Sequence, residues 1–315
     1  MAQEQESMKF MVATEEAGQR FDILISEKID GWSRSRLKKL IDDGEALVNG
    51  GTCRSSYKVR AGDEISIELI EDTSENFAPE DIPLDVVFED EYLAVINKPA
   101  GMVVHPGAGI SNGTLANAIA FRFGFEESEN KNKRVGIVHR LDKETSGLIV
   151  VAKNNLTLEK LSAQFQDRKV SKSYVALVHG FVRKLTGKIE EPIARDRKNR
   201  VKMAVDKNGR NALSIFKVRQ RFEKFTLLDV QIKTGRTHQI RVHLSHINHP
   251  IVGDETYNAG RDNQIKSAAL RKAIREGGRF FLHAEKLAFT HPVTKKELKF
   301  ELPPPVELTN LLRLI

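Results

Sequence analysis

VHRLDKETSGLIVVAK, residues 138–153, is the stretch on which the fold turns. It reads as a strand over 136–141, a tight polar turn, and a wholly apolar strand over 147–152. The turn is the densest polar cluster in the chain that is bounded by β-type runs. Such geometry puts Asp142 at a strand edge, where backbone donors and neighbouring cations hold a carboxylate ionised. An ionised carboxylate in a partly dry cleft serves as nucleophile or base. The same spacing also fits a turn aspartate that caps its own backbone.

Outward from that stretch the chain is mostly strand. Two β runs, LDVVF and YLAVINK, occupy 84–98, and further strands fit 173–178, 212–219, 225–232, 280–288 and 297–301. Helices are fewer. One follows Gly113-Thr114, with Leu115, Ala118 and Ile119 on one face. A second begins at Asn154-Asn155, and a third spans 237–247 with Ile240, Leu244 and Ile247 in register. A short one follows the prolines at 303–305. Many strands joined by short turns predict an α+β domain on a mixed, largely antiparallel sheet, not a doubly wound one. No GxGxxG or GxxxxGK[ST] phosphate loop occurs.

The 315 residues carry 50 Lys/Arg against 43 Asp/Glu, a net charge of +7. The charge is unevenly spread. Residues 1–76 hold 10 cations and 16 anions, a net of −6, which leaves +13 for 77–315. A basic body of this kind suits a polyanionic partner. The single cysteine, Cys53, excludes an intramolecular disulfide framework and any multi-cysteine zinc site. Apolar runs are too short to span a bilayer. The polar, acidic start is unlike a secretory signal, so a cytoplasmic protein without a membrane association is expected.

The acidic front has its own organisation. Apolar residues at 21, 24, 25 and 29 predict one helix, and Ser33 caps a second over 34–42 that ends at Gly44. A strand over 46–48, an Asn49-Gly50 turn and a strand ending at 65–69 follow. Arg34, Arg36, Lys38 and Lys39 lie on the polar side of the second helix with no acid among them. That face suits phosphate groups, and equally a solvated helix surface. The stretch 70–83 is acidic, polar and without apolar periodicity, as a linker is.

SRSRLKKLIDDGEALVNG (33–50) and YKVRAGDEISIEL (57–69) resemble an S4-like RNA-binding domain. The resemblance implies that Arg34, Arg36, Lys38 and Lys39 form part of its RNA surface. In the body, HRLDKETSGLIVVAK resembles the signature of the RluA/RluD family of pseudouridine synthases. Four more motifs follow the family order: NKPAGMVVHPG with GTLANAI, SKSYVALVHG, TGRTHQIRVHLSHINHPIVGDETY and FFLHAEKLAFTHPVT. The expected organisation is a flexible N-terminus over 1–17, the S4-like domain over 18–70, a linker over 71–83 and the catalytic domain over 84–315.

The resemblance implies isomerisation of uridine to pseudouridine in RNA, most closely in large-subunit ribosomal RNA, by a monomer. It implies no metal, ATP or redox cofactor. Asp142 is then the catalytic carboxylate, acting at the ribose C1′ or by a glycal route, and Arg241 the cation that pairs with it. Tyr174 lies against the uracil, Leu282 lines the base pocket, and Arg140 fills the gap left by the flipped base. Taken without the resemblance, Tyr174 and Leu282 also read as core residues and Arg241 as a surface helix arginine. A uridine stacked in RNA must leave the stack to reach such an aspartate, at a cost of about a few kcal/mol.

Two patterns stand apart. His238, His243, His246 and His249 crowd one region, but neither a cysteine nor an HExxH supports them as metal ligands. The last motif has Phe280 where the family pattern commonly has glutamine. A non-catalytic RNA-binding or ribosome-assembly protein, a transfer-RNA target and a glycoside hydrolase are the competing readings. The hydrolase would require a second carboxylate, and no paired acid stands out.

Overall fold

The computed structural model describes residues 6–29, 34–69, 78–107, 110–124, 136–199 and 202–315. The chain divides into two units, Met1–Ser74 and Glu75–Ile315. Among the described residues no helix is long and apolar enough to cross a membrane.

In the first unit, β1 (Glu6–Met11), β2 (Ala46–Val48), β3 (Gly51–Thr52) and β4 (Glu64–Leu69) form an antiparallel sheet in the order β1-β4-β2-β3. Helices α1 (Phe21–Lys28) and α2 (Arg34–Asp43) supply the rest. Phe21, Leu24, Ile25, Leu37 and Ile41 pack with Ala46, Ile65 and Ile67. The expected hairpin turn is present. Asn49 and Gly50 both have positive φ, as a two-residue hairpin that matches strand twist requires. Asn49 also donates through Nδ2 to Asp63 at 2.8 Å and accepts the Glu64 N–H at 2.8 Å, which ties the hairpin to β4. Cys53 is half-buried against this core.

One expectation for this unit is corrected. The N-terminus over 1–17 is not wholly flexible, because β1 pairs with β4 along six residues. Met8, Phe10 and Val12 form a short period-2 stripe that packs on the core. The Ser33 cap expected for α2 lies outside the described residues.

The second unit opens with β5 (Asp85–Glu89), β6 (Leu93–Lys98), α3 (Leu115–Phe123), β7 (Ser146–Ala152) and α4 (Asn155–Gln166). Then come β8 (Ser171–His179), β9 (Thr186–Glu190), β10 (Ile193–Arg195), β11 (Met203–Val205), β12 (Leu213–Arg221) and β13 (Phe225–Ile232). The unit ends with α5 (Gln239–His246), α6 (Ala268–Gly277), β14 (Leu282–Thr290), β15 (Glu297–Glu301) and α7 (Val306–Arg313). Nine strands form one sheet in the order β5-β6-β7-β14-β8-β13-β12-β9, with β15 also on β14. Among the described residues only β7 and β14 pair in parallel. The mixed, largely antiparallel α+β architecture predicted above is the one observed.

The sheet centre is apolar on both faces, as alternation along the strands shows. Ala94, Ile96, Ile149 and Val151 belong to one core, with Leu115 and Ile119 of α3. Leu93, Val95, Leu148 and Val150 belong to the other, with Leu161 of α4. Thr114 and Asn154 cap α3 and α4 by accepting N–H groups three residues on.

The strand expected over 136–141 is absent. Ile137 makes a single bridge to Val151 before the chain turns away. The parallel pairing of β14 with β7 stops at Gly147, which leaves the rest of that β7 edge to this segment. There the Val150 N–H donates to the ring Nε2 of His139 at 3.1 Å, so a side chain replaces a ladder carbonyl. Strands β9, β10 and β11 carry no apolar run long enough to predict them. Residues 78–83, expected within the linker, are in part anchored to α3. Asn117 Nδ2 donates to the Ala78 carbonyl at 2.9 Å, and Glu80 N–H to the Asn117 carbonyl at 3.1 Å.

Candidate active site

The turn that carries Asp142 is closed by the Thr145 N–H on the Asp142 carbonyl at 3.0 Å. It is also tied to the loop after β6. Gly101 N–H donates to the Lys143 carbonyl at 2.9 Å. Lys98, fully buried, donates through Nζ to the carbonyls of Pro99 (2.7 Å), Met102 (2.8 Å) and Lys143 (3.1 Å). An ammonium has three donors and here finds three acceptors. Burial, then the nearby Arg279 charge, push its pKa down to about 7.

Just beyond the turn, Gly147 has φ +112, and a Cβ there would lie 2.3 Å from the Ala284 carbonyl oxygen. Only glycine allows β14 to approach so closely. Its neighbour Ser146 donates to His283 Nδ1 at 2.8 Å and accepts from Arg279 Nη2 at 2.8 Å. The other His283 nitrogen donates to the Leu302 carbonyl at 3.0 Å, which fixes the neutral tautomer.

Arg241 projects from α5 and divides its guanidinium between two carboxylates. Nε and Nη2 donate to the two oxygens of Asp254 at 2.8 and 2.9 Å, and Nη1 donates to Asp142 Oδ2 at 3.3 Å. Asp254 is almost fully buried and also accepts the N–H groups of Thr256 and Tyr257. The guanidinium lies over the Phe280 ring at 4.4 Å and the Tyr257 ring at 5.0 Å. Burial opposes the Arg241 charge, but the hydrogen bonds and charge of Asp254, then those of Asp142, more than offset it and raise the pKa.

These groups open on a cleft of about 510 Å³. Asp142, Arg241, Tyr174, Arg140 and Leu282 all line it, so the five residues expected around the base come together. Tyr174 and Leu282 are buried and Arg140 is exposed. Burial, and then the Asp142 charge, raise the Tyr174 phenol well above its usual pKa, so it stays protonated. A larger concavity of about 790 Å³ is lined by Ser171, Ser173, Arg219 and Asp229. Alternation along β8 puts Ser171 and Ser173 on the face opposite Lys172 and Tyr174. None of the residues expected around the base lines that concavity; all five line the smaller cleft.

Three of the crowded histidines have separate partners. His238 Nδ1 is hydrogen-bonded to the Tyr257 hydroxyl at 2.9 Å, and His249 Nδ1 donates to the His179 carbonyl at 2.9 Å. His243 donates to the Glu191 carbonyl at 3.0 Å and accepts from Ser214 at 2.9 Å. Among the described residues no group of three or more His, Cys, Asp or Glu side chains is placed to hold a metal. Of the basic residues of α2, Lys38 is exposed, while the side chains of Arg34, Arg36 and Lys39 lie outside the described residues.

Sequence reasoning overlooked Asp254, Lys98 and Lys172. Asp254 had one signal, an acid directly after the apolar run PIVG. Phe280, noted only as a departure from a pattern, proves to be the ring beneath Arg241.

Residues 92–246 match the family model for RNA pseudouridylate synthase, and 19–65 match the S4 domain. The chain is 39% identical over 298 residues to an uncharacterized RNA pseudouridine synthase of Bacillus subtilis, covering 95% of this chain and 94% of that one. It is 42% identical over 298 residues to the ribosomal large subunit pseudouridine synthase D of Xanthomonas campestris, covering 94% and 88%. Among solved structures, human RNA pseudouridylate synthase domain containing 4 aligns with a TM-score of 0.57 and 26% identity. That alignment covers 73% of this chain and 92% of the human one. The chain belongs to the RNA pseudouridylate synthase family. Within it, this is a pseudouridine synthase of the RluA/RluD type that carries an N-terminal S4 RNA-binding domain.

Proposed function

We propose that the enzyme converts uridine to pseudouridine in large-subunit ribosomal RNA, with Asp142 as the nucleophile. The observation that carries the assignment is the Asp142–Arg241 pair inside a cleft that Tyr174 also lines. Arg241 sets a positive charge against the carboxylate that this chemistry uses as its nucleophile. In this reading the carboxylate attacks the ribose C1′ as the N1–C1′ bond breaks and uracil leaves as an anion. The uracil turns against Tyr174 and Leu282, and C5 attacks C1′ to displace Asp142. Loss of the C5 proton and protonation of N1 complete an isomerisation with no net gain or loss of atoms.

Tyr174, held protonated, acts here as a stacking and hydrogen-bonding group, not as a phenolate base. Arg140, exposed at the cleft, stacks in the vacancy left by the flipped base. The α2 residues Arg34, Arg36, Lys38 and Lys39 bind the RNA backbone. The S4 domain, the +13 charge on 77–315 and the name of the Xanthomonas relative support ribosomal RNA as the target. We further read the protein as a cytoplasmic monomer, where its RNA is made.

Carbodiimide mapping of pseudouridine tests this. A strain lacking the gene should lose one or a few large-subunit modifications. The wild-type gene should restore them and Asp142→Asn should not. Restoration by the mutant would sink the role of Asp142. Loss confined to transfer RNA would move the substrate.

A further inference from the structure

Among the described residues, one half-buried cation of the cleft pairs with neither a carboxylate nor a carbonyl. Lys172 is half-buried, two residues before Tyr174 on the same face of β8. Its Nζ stands 5.3 Å from the centre of the Phe165 ring and borders Gly235, where an added Cβ would lie 3.7 Å from it. Among the described residues neither a carboxylate nor a carbonyl pairs with this ammonium, which distinguishes it from Lys98. Among the described residues Asp142 is the only carboxylate lining the cleft, and Arg241 already holds it. Arg140, Lys233 and Arg236 add to the positive lining.

A second donor lies beside it. His139 uses Nε2 to accept the Val150 N–H, so its proton sits on Nδ1. That Nδ1 is buried with no hydrogen-bond partner. The ring stacks on Phe165 at 4.7 Å and also lines the cleft. Burial, then the Lys172 charge, push the His139 pKa down to about 3, so the ring is neutral. Burial alone pushes Lys172 down to about 8.

We propose that Lys172, with the His139 Nδ1–H beside it, forms an anion subsite that takes a phosphodiester flanking the target uridine. The inference rests on the RNA reading above. A partly desolvated ammonium gains most from a full negative charge, and uracil offers only neutral carbonyls. The phosphates are the anions that a nucleotide brings into this cleft. Neighbouring same-face side chains on a strand stand about 7 Å apart, so the subsite lies roughly one ribose away from Tyr174. Lys172 is therefore a positioning residue that sets where the glycosidic bond meets Asp142.

The test uses the full chain and RNA substrates in which the phosphate on the 5′ or the 3′ side of the target uridine is a neutral methylphosphonate. Lys172→Met should lower kcat/KM by about tenfold or more through KM, as expected for one charged hydrogen bond, and Lys172→Arg should recover most of it. One of the two neutral linkages should weaken the wild type by a similar factor and have no further effect on Lys172→Met. The logarithmic salt slope of binding should fall by about 0.7 in that variant. Equal losses for wild type and Lys172→Met at both positions would overturn the subsite. So would an unchanged KM in a Lys172→Met enzyme whose thermal melt matches the wild type. Wild-type turnover of the unsubstituted RNA reads the target assignment separately. If a transfer RNA is the one modified, the comparison runs on it.

Discussion

Arg241 reaches Asp142 through one nitrogen at 3.3 Å, while its other two nitrogens are committed to Asp254 at 2.8 and 2.9 Å. The tighter grip is on the residue that does not face the chemistry. Asp254 thus fixes the plane of the guanidinium, and the Phe280 ring at 4.4 Å supports it from one side. One nitrogen remains for Asp142, the carboxylate proposed above to form and break a bond.

Asp254→Ala leaves Arg241 buried with a single long hydrogen bond. Breaking a buried pair in this way costs about 3–5 kcal/mol. Urea unfolding should show a loss of that order, and pseudouridine formation should fall sharply in the fraction that remains folded. Full activity in a folded Asp254→Ala enzyme would contradict the division of labour described here.

Lys98 makes stability depend on pH in a defined direction. Its folded-state pKa is about 7 and its ordinary value 10.5. Between those values the unfolded chain binds the extra proton, so this group's contribution to stability rises with pH across the window and is level below it. Lys98→Met should remove that rise. It should also loosen the Lys143 carbonyl beside Asp142 and lower kcat. Unfolding curves for both proteins at the two ends of the window measure the effect, and parallel rises would count against it.

Gly147→Ala adds a Cβ 2.3 Å from a backbone oxygen at φ +112. Neither the strand nor the oxygen is a flexible side chain that can yield. A destabilisation on the order of 3 kcal/mol or more is expected. A thermal melt at the wild-type temperature would show that β7 and β14 can separate without cost.

Alanine at Arg34, Arg36, Lys38 and Lys39 together should weaken RNA binding. It should also flatten the salt dependence by about 0.7–0.9 for each phosphate that is no longer neutralised. Filter binding across a salt series gives the slope. An unchanged slope would remove α2 from the RNA surface.

What could be read from residues alone divides along physical lines. Asp142 stood out in its own polar turn, whereas Tyr174, Arg241 and Leu282 were marked only by the family resemblance of the motifs that hold them. The sheet class followed from the number of apolar strands, such as β6, β7 and β8, and the short turns between many of them. Asp254 escaped notice because its role exists only once α5 packs beside it. Lys98 and Lys172 look alike in sequence, yet one is saturated by three carbonyls and the other by none. The missing strand over 136–141 has the same origin. Its partner edge is set by β14, which lies more than 130 residues further along the chain.

That parallel pairing also gives the enzyme a timetable. Ser146 and Gly147 find their partners only once His283 and Ala284 have been synthesised. The clamp on Asp142 likewise waits for Asp254, and its aromatic support for Phe280. The N-terminal unit completes its core within the first 74 residues and can fold early on the ribosome. A nascent chain therefore holds its complete S4 domain while β7 still lacks its β14 partner.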